Sequence, residues 1–124
     1  MPTDRKPAVV EILLVEDSPA DADLMSDALK EGGLNSHISI VDNGEDAINF
    51  LRRQGEFAEK PVPDLVLLDL FLPRKNGYEV LDDIKQDAVL RRIPIVIFTS
   101  TDNEEAIRER KGDRHVYLWR PVRI

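Results

Sequence analysis

The chain has 124 residues, of which 42% are hydrophobic, and its 17 basic and 24 acidic side chains give a net charge of −7. This length suits one domain with a single core, and the acidic balance argues against nonspecific binding to nucleic acid. Neither a stretch near the roughly 20 apolar residues of a membrane span nor a signal peptide is recognisable. The absence of cysteine excludes disulfides and thiolate metal sites, and it predicts a cytoplasmic protein.

The first half of the chain alternates strand-like and helical patterns. A first strand is predicted at about Glu11 to Val15, and Ser18 with Pro19 forms a good start for a helix that Gly32-Gly33 would end. A second strand, 38–41, alternates as an edge strand does, and Asn43-Gly44 opens a second helix. The segment from Gly55 to Pro63 is rich in Gly, Pro and charged residues, which predicts an exposed loop.

The second half continues the alternation. Its predicted elements are a strand from Leu65 that ends in Asp69, a helix from about Tyr78 to Gln86, a strand at Ile95–Phe98, a weaker helix from Asn103 to Lys111 and a short strand at Val116–Trp119. Five strands and four complete helices in this order predict an α/β fold, a doubly wound three-layer sandwich around a parallel sheet. We expect residues 1–8 to form a short N-terminal extension and residues 9–124 to form the domain.

Acidic residues follow two of the buried strands. Glu16 and Asp17 come after the first strand, and Asp69 ends the apolar run 65–68. Parallel strands end at one edge of a sheet, so these carboxylates should converge there with Thr99 and Arg120, which end the fourth and fifth strands. Carboxylate oxygens suit Mg²⁺ better than zinc or copper, and a hydroxyl with a cation suits a tetrahedral anion. The residues therefore predict a site of aspartate, Mg²⁺ and a phosphoryl group.

Five ordered motifs resemble the receiver domain of two-component response regulators: ILLVED (12–17), VLLD (66–69), PRKNGYEVL (73–81), IPIVIFTS (93–100) and YLWRP (117–121). The similarity covers nearly the whole chain. The segment EDSPADADLM (16–25) and the 55–63 loop are most like the small single-domain receivers that partner phytochrome-type histidine kinases. The resemblance implies a flavodoxin-like five-stranded parallel sheet of order 2-1-3-4-5. It also implies that the domain is truncated after the fifth strand, with the last helix missing.

The resemblance assigns a role to each residue of the predicted site. Asp69 would accept the phosphoryl group, Glu16 and Asp17 would be the acidic metal-binding pair, and the backbone carbonyl of Phe71 would be a further metal ligand. The expected cofactor is Mg²⁺, bound by these three carboxylates and this carbonyl.

Three further residues would respond to the phosphoryl group. Thr99 matches the hydroxyl residue that contacts it, and Tyr117 matches the aromatic residue that changes rotamer with it. Arg120 stands where the family has a lysine, and a planar guanidinium does not replace a compact ammonium without consequence at a crowded anion site. Arg120 could also be a surface residue.

The implied function is phosphorelay signal transduction. A sensor histidine kinase, of the phytochrome type by resemblance, would phosphorylate the acceptor, and a conformational switch would then signal to a downstream protein partner. The chain would be a phosphoacceptor rather than an enzyme, with only self-catalysed phosphotransfer and dephosphorylation. A homodimer is one expected assembly, and neither nucleic acid nor a membrane is an expected partner.

Two other functions compete with this interpretation. A dehalogenase-type phosphatase also uses an aspartate at a strand end, but it needs a second acid two residues later, where this chain has Phe71. A pseudo-receiver that is never phosphorylated would act as a protein-binding module. Arg120 and the expected loss of the last helix favour that alternative, whereas the retained Glu16, Asp17 and Asp69 oppose it.

Overall fold

A computed structural model describes residues 9–98 and, for the backbone alone, residues 116–119. Its elements are β1 (Val10–Val15), α1 (Pro19–Glu31), β2 (Ser36–Val41), α2 (Gly44–Leu51), β3 (Leu65–Asp69), α3 (Gly77–Gln86), β4 (Ile95–Phe98) and β5 (Val116–Trp119), with single 3₁₀ turns at Gly55–Phe57 and Leu90–Arg92. The predicted helix at Asn103–Lys111, the N-terminal extension and the chain end after the fifth strand lie outside the described residues. None of the helices described is long and apolar enough to cross a membrane.

The strands form one sheet in the order β2-β1-β3-β4-β5, as predicted. β1 pairs in parallel with both β2 and β3, and β3 pairs in parallel with β4. Along these pairs Val15 lies opposite Leu68, and Asp69 lies opposite Phe98. The carboxyl ends of β1, β3 and β4 therefore lie side by side at one edge, which we call the carboxyl edge.

The fifth strand differs from the prediction of five parallel strands, because β5 runs antiparallel to β4. Trp119 lies opposite Ile95 and Val116 lies opposite Phe98. The direction of a strand is set by the connection that leads to it, here residues 99–115, and not by the apolar residues of the strand itself. The end of β5 therefore lies at the edge opposite Asp69.

Side chains on the two faces of the sheet form two apolar layers. On one face α2 and α3 cover a core that includes Leu13, Val66 and Leu68 of the sheet. On the other face α1 places Ala22 against Ile12 and the neighbouring strand residues. Strands covered on both sides need apolar residues at consecutive positions, which explains the unbroken runs in β1 and β3. The architecture is the predicted three-layer sandwich.

Polar caps begin all three α-helices in the described part of the chain. The Ser18 hydroxyl accepts a hydrogen bond from the Asp21 amide at 3.3 Å, and the Asn43 side chain accepts one from the Asp46 amide at 2.7 Å. Asn76 and Glu79 form a reciprocal capping box at α3. These helix starts follow the carboxyl ends of β1, β2 and β3, so each cap holds a helix N-terminus near the carboxyl edge.

Candidate metal centre

Two neighbouring strands place the acidic residues. Glu16 follows β1 directly, and its amide donates a hydrogen bond to the Val41 carbonyl of β2 at 3.0 Å. Asp69 is the last residue of β3, the other neighbour of β1. Because β1 and β3 are parallel and adjacent, both carboxylates lie at the carboxyl edge, as expected from the order of motifs.

Three carboxylates meet at this edge. Glu16, Asp17 and Asp69 each offer one oxygen, and these oxygens all lie within 4.8 Å of one another. Glu16 and Asp69 are buried, with 2% and 0% of their surface exposed, whereas Asp17 is exposed. The acidic cluster therefore has a buried floor and a side that faces solvent, so a partly hydrated ion could reach it.

Without a cation, burial and the close approach of these carboxylates disfavour the charged form of Glu16. Burial, then a hydrogen bond with Asp69, then the charges of Asp69 and Asp17 raise the pKa of Glu16 from 4.5 to about 9. Apart from Asp69, no described group forms a hydrogen bond with the Glu16 oxygens. The raised pKa favours the protonated form of Glu16 beside Asp69, and a divalent cation bound there would compete with that proton.

The donor set fits a hard divalent cation. Carboxylate oxygens with open positions for water are what Mg²⁺ and Mn²⁺ bind, whereas sulfur and imidazole ligands, which softer metals prefer, are not part of the cluster. A bound cation would compensate the buried negative charge that raises the pKa of Glu16. The positions and the charges of the three residues both favour a hard divalent cation.

The loop after β3 is tightly packed around Asp69. The Phe71 amide donates a hydrogen bond to Asp69 Oδ1 at 3.1 Å, and the Gly77 amide donates one to the Leu70 carbonyl at 2.9 Å. A Cβ atom at Gly77 would lie only 2.5 Å from the Asp69 carbonyl oxygen, so only glycine fits there without a shift. Phe71 thus lies beside the acidic cluster, and its role as a carbonyl ligand stays a prediction.

The other predicted site residues are not brought to the cluster by the described structure. Thr99 and Arg120 lie outside the described residues. Tyr117 is described only in its backbone, where it lies opposite Ile97. Trp119, at the end of β5, lies at the edge opposite the cluster, so the described backbone gives no support to the expected convergence of the fifth strand end with Asp69.

Two residues in the loops that follow β2 and β3 did not stand out in the sequence. Asn43 is only 1% exposed, and its side-chain amide donates to Asp42 at 2.7 Å and to Asp46 at 2.9 Å. Arg74 has a φ of 65°, which is uncommon for a residue other than glycine. The Asn-Gly pair at a helix start was the available signal for Asn43, whereas the sequence held no signal for the Arg74 backbone.

Comparison with known proteins gives the family. The family model for the response regulator receiver domain matches residues 12–122. Response regulator Rcp1 of Synechocystis sp. is 47% identical over 96 residues, which cover 77% of this chain and 65% of Rcp1. The chain thus spans slightly less than two thirds of the length of that relative. The probable methanogenesis regulatory protein FilR2 of Methanothrix harundinacea is 39% identical over 113 residues, which cover 90% of this chain and 72% of FilR2.

Two solved structures agree with the fold and the ligand type. The phosphorylated cyanobacterial phytochrome response regulator RcpA has a TM-score of 0.71 and 44% identity, with coverage of 82% of this chain and 72% of RcpA. The Mn²⁺-bound form of Rcp1 has a TM-score of 0.71 and 45% identity, with coverage of 80% and 71%. With motif order, strand order and acidic cluster all in agreement, the chain belongs to the response regulator receiver domain family of two-component signalling.

Proposed function

We propose that Asp69 accepts a phosphoryl group from a sensor histidine kinase, with Mg²⁺ held by Glu16, Asp17 and Asp69. The observation that carries this proposal is the convergence of three carboxylates within 4.8 Å at the carboxyl edge. Asp69 is the one of the three that ends a central strand. RcpA, which is known in a phosphorylated form, and Rcp1, which is known in a Mn²⁺-bound form, support the same chemistry by similarity.

The transfer step uses the Asp69 carboxylate as the nucleophile. One of its oxygens attacks the phosphorus of the kinase phosphohistidine, the P–N bond breaks, and its electron pair stays on the imidazole, which then takes up a proton from water. Bound Mg²⁺ would supply positive charge beside the oxygens of the group in transfer. The Phe71 amide, 3.1 Å from Asp69 Oδ1, holds the acceptor carboxylate in one orientation. In the later hydrolysis, water attacks the phosphorus of the acyl phosphate, the bond between phosphorus and the Asp69 oxygen breaks, and inorganic phosphate and the free carboxylate are released.

The output follows from the added charge. In this proposal Thr99 turns towards the acyl phosphate and Tyr117 changes rotamer, so that a different surface meets a downstream protein partner or a second copy of the chain. Arg120 would pair with the phosphoryl group in the place of the family lysine. The antiparallel β5 does not support that last contact, so the proposal depends on the three carboxylates and not on Arg120.

The kinase is proposed by similarity. Rcp1 and RcpA share 44% to 47% identity with this chain, and RcpA is a phytochrome response regulator, so we infer a phytochrome-type histidine kinase as the phosphoryl donor. The proposed location of this chain is the cytoplasm. The second candidate function is the protein-binding module that is never phosphorylated. Arg120, in the place of the family lysine, favours it.

Intact-mass measurement separates the two functions. The chain is incubated with acetyl phosphate and Mg²⁺ and then weighed. We expect the mass of one added phosphoryl group in the wild type and none in Asp69→Asn. Asp64→Asn is the matched control, because Asp64 precedes the other end of β3 and its side chain is engaged with the Glu11 amide, far along the strand from the cluster. Equal labelling of wild type and Asp69→Asn would exclude Asp69, and no labelling of the wild type would favour the binding module.

A further inference from the structure

The loop between β3 and α3, residues 70–76, is held from two sides. On its near side the Phe71 amide contacts Asp69 Oδ1, and Gly77 packs against the Asp69 carbonyl. On its far side the loop rests on α2. A Cβ atom at Gly44 would lie 1.8 Å from the Lys75 carbonyl oxygen and 2.6 Å from its carbon, so the two backbones are in direct contact.

Arg74 joins the loop to the first turn of α2. Its Nη2 atom lies 3.7 Å from Asp46 Oδ2. The same Asp46 oxygen accepts a hydrogen bond from the side chain of Asn43 at 2.9 Å, and the Asp46 amide donates to the Asn43 side chain at 2.7 Å. Asn43 is buried, so its two hydrogen bonds restrict the position of the Asp46 side chain on α2. Arg74 therefore pairs with a carboxylate whose movement is restricted.

The backbone at Arg74 forms a tight turn. Its φ of 65° lies in the left-handed region, which is uncommon for residues other than glycine. The Lys75 amide donates a hydrogen bond to the Pro73 carbonyl at 2.7 Å, which closes a three-residue turn centred on Arg74. The neighbouring Lys75 pairs with Asp83 of α3, so the two consecutive cations tie the loop to two different helices.

We propose that Arg74 is a positioning residue for the metal centre, anchoring the 70–76 loop to the first turn of α2 through Asp46 and so holding the segment that begins at Phe71 beside Asp69. This inference rests on the proposed function. A loop that is anchored at Asp46 presents one arrangement to an incoming cation, whereas a released loop must be ordered when the cation binds. Arg74 therefore raises cation affinity without touching the cation.

The size of the effect follows from the exposure of the pair. Arg74 and Asp46 have 58% and 32% of their side chains exposed, and such pairs change an equilibrium constant by a factor of about five at most. We expect Arg74→Ala to weaken Mg²⁺ binding about two- to five-fold. Arg74→Lys keeps the charge and should recover part of this loss.

Arg53 offers a matched control. It is the other described arginine with a positive φ, 56°, and it lies just after α2 in the chain, outside the acidic cluster. Arg53→Ala makes the same change of charge and side chain at another residue with a positive φ. Binding of Mg²⁺ is followed by the NMR shift of the Phe71 amide, and exchange of the Lys75 and Gly44 amides with solvent is measured without metal.

The expected result is weaker Mg²⁺ binding and faster exchange of these amides in Arg74→Ala, with wild-type values in Arg53→Ala. In an Asp46→Ala background, Arg74→Ala should have no further effect, because the two residues act as one pair. Identical behaviour of Arg74→Ala and Arg53→Ala, or an undiminished effect of Arg74→Ala without Asp46, would overturn the inference. The metal-free exchange measurement is independent of phosphorylation, so an unlabelled wild type would count against the proposed function and leave this test intact.

Discussion

Replacing Glu16 by glutamine should remove much of the pH dependence of stability in the metal-free protein. The pKa of Glu16 is raised from 4.5 to about 9, so the folded protein binds one more proton than the unfolded chain between these values. The stability from this proton is fully present below pH 4.5 and is lost as pH rises through about 9. Wild-type stability should therefore fall with rising pH in this range.

The slope can be worked from one proton. A difference of one bound proton changes the free energy of unfolding by about 1.4 kcal/mol per pH unit. Between about pH 6 and about pH 8 the wild type should lose up to about 2.7 kcal/mol from this source. Because Asp69 contributes to the raised pKa of Glu16, the slope reflects the two interacting carboxyl groups, and Glu16→Gln removes the glutamate that titrates.

Urea denaturation with EDTA at both pH values measures the effect. Glu31→Gln, at the exposed end of α1, is the matched control and should keep the wild-type slope. Added Mg²⁺ should stabilise the wild type more at the higher pH, because the cation displaces the proton. The reasoning fails if Glu16→Gln and Glu31→Gln show the same slope as the wild type.

Three further predictions concern other contacts. Gly44→Ala should destabilise the fold by about 1–3 kcal/mol, since the new Cβ would lie 1.8 Å from the Lys75 carbonyl oxygen. Gly32→Ala, whose nearest contact would be 3.5 Å, should not destabilise it. Chemical denaturation compares the two variants, and equal stabilities would show that the loop can move to accommodate the Cβ. Asp17→Ala should weaken Mg²⁺ binding in an NMR titration, because it removes the exposed ligand of the cluster, and unchanged affinity would remove Asp17 from the site. Ile84→Ala, at a side chain 1% exposed, should cost about 2–5 kcal/mol with an unchanged urea m-value, and a loss well below 1 kcal/mol would mean that α3 repacks.

Local patterns predicted most of the elements that position the site. Ser18 followed by Pro19 predicted the start of α1, and the structure has Ser18 as its cap with Pro19 as the first helical residue. The apolar runs before Glu16 and Asp69 predicted β1 and β3, and the parallel direction of these strands predicted that the acids meet. Each of these inferences needs only residues near one another in the chain, together with a general rule for parallel sheets.

The contacts that sequence reasoning missed connect distant segments. Gly44 could be recognised as a helix start, but its contact with Lys75 depends on how two loops meet in space. The left-handed backbone of Arg74 belongs to a tight turn closed by the Lys75 amide and the Pro73 carbonyl, and an arginine in the sequence does not predict such a φ. The direction of β5 likewise depends on the connection that precedes it, so the four apolar residues of this strand could not predict it.

The segment 55–63, which is exposed over most of its length, gives the fold a place where new sequence could be inserted. It begins at Gly55, which has a φ of 59°, and the centroid of its Phe57 ring lies 5.5 Å from that of Phe50. An inserted peptide or a fluorescent module after Glu59 would extend into solvent and leave the strands on either side paired. The protein could thus carry a reporter on the α2–β3 connection, while the acidic cluster and the 70–76 loop keep their native lengths.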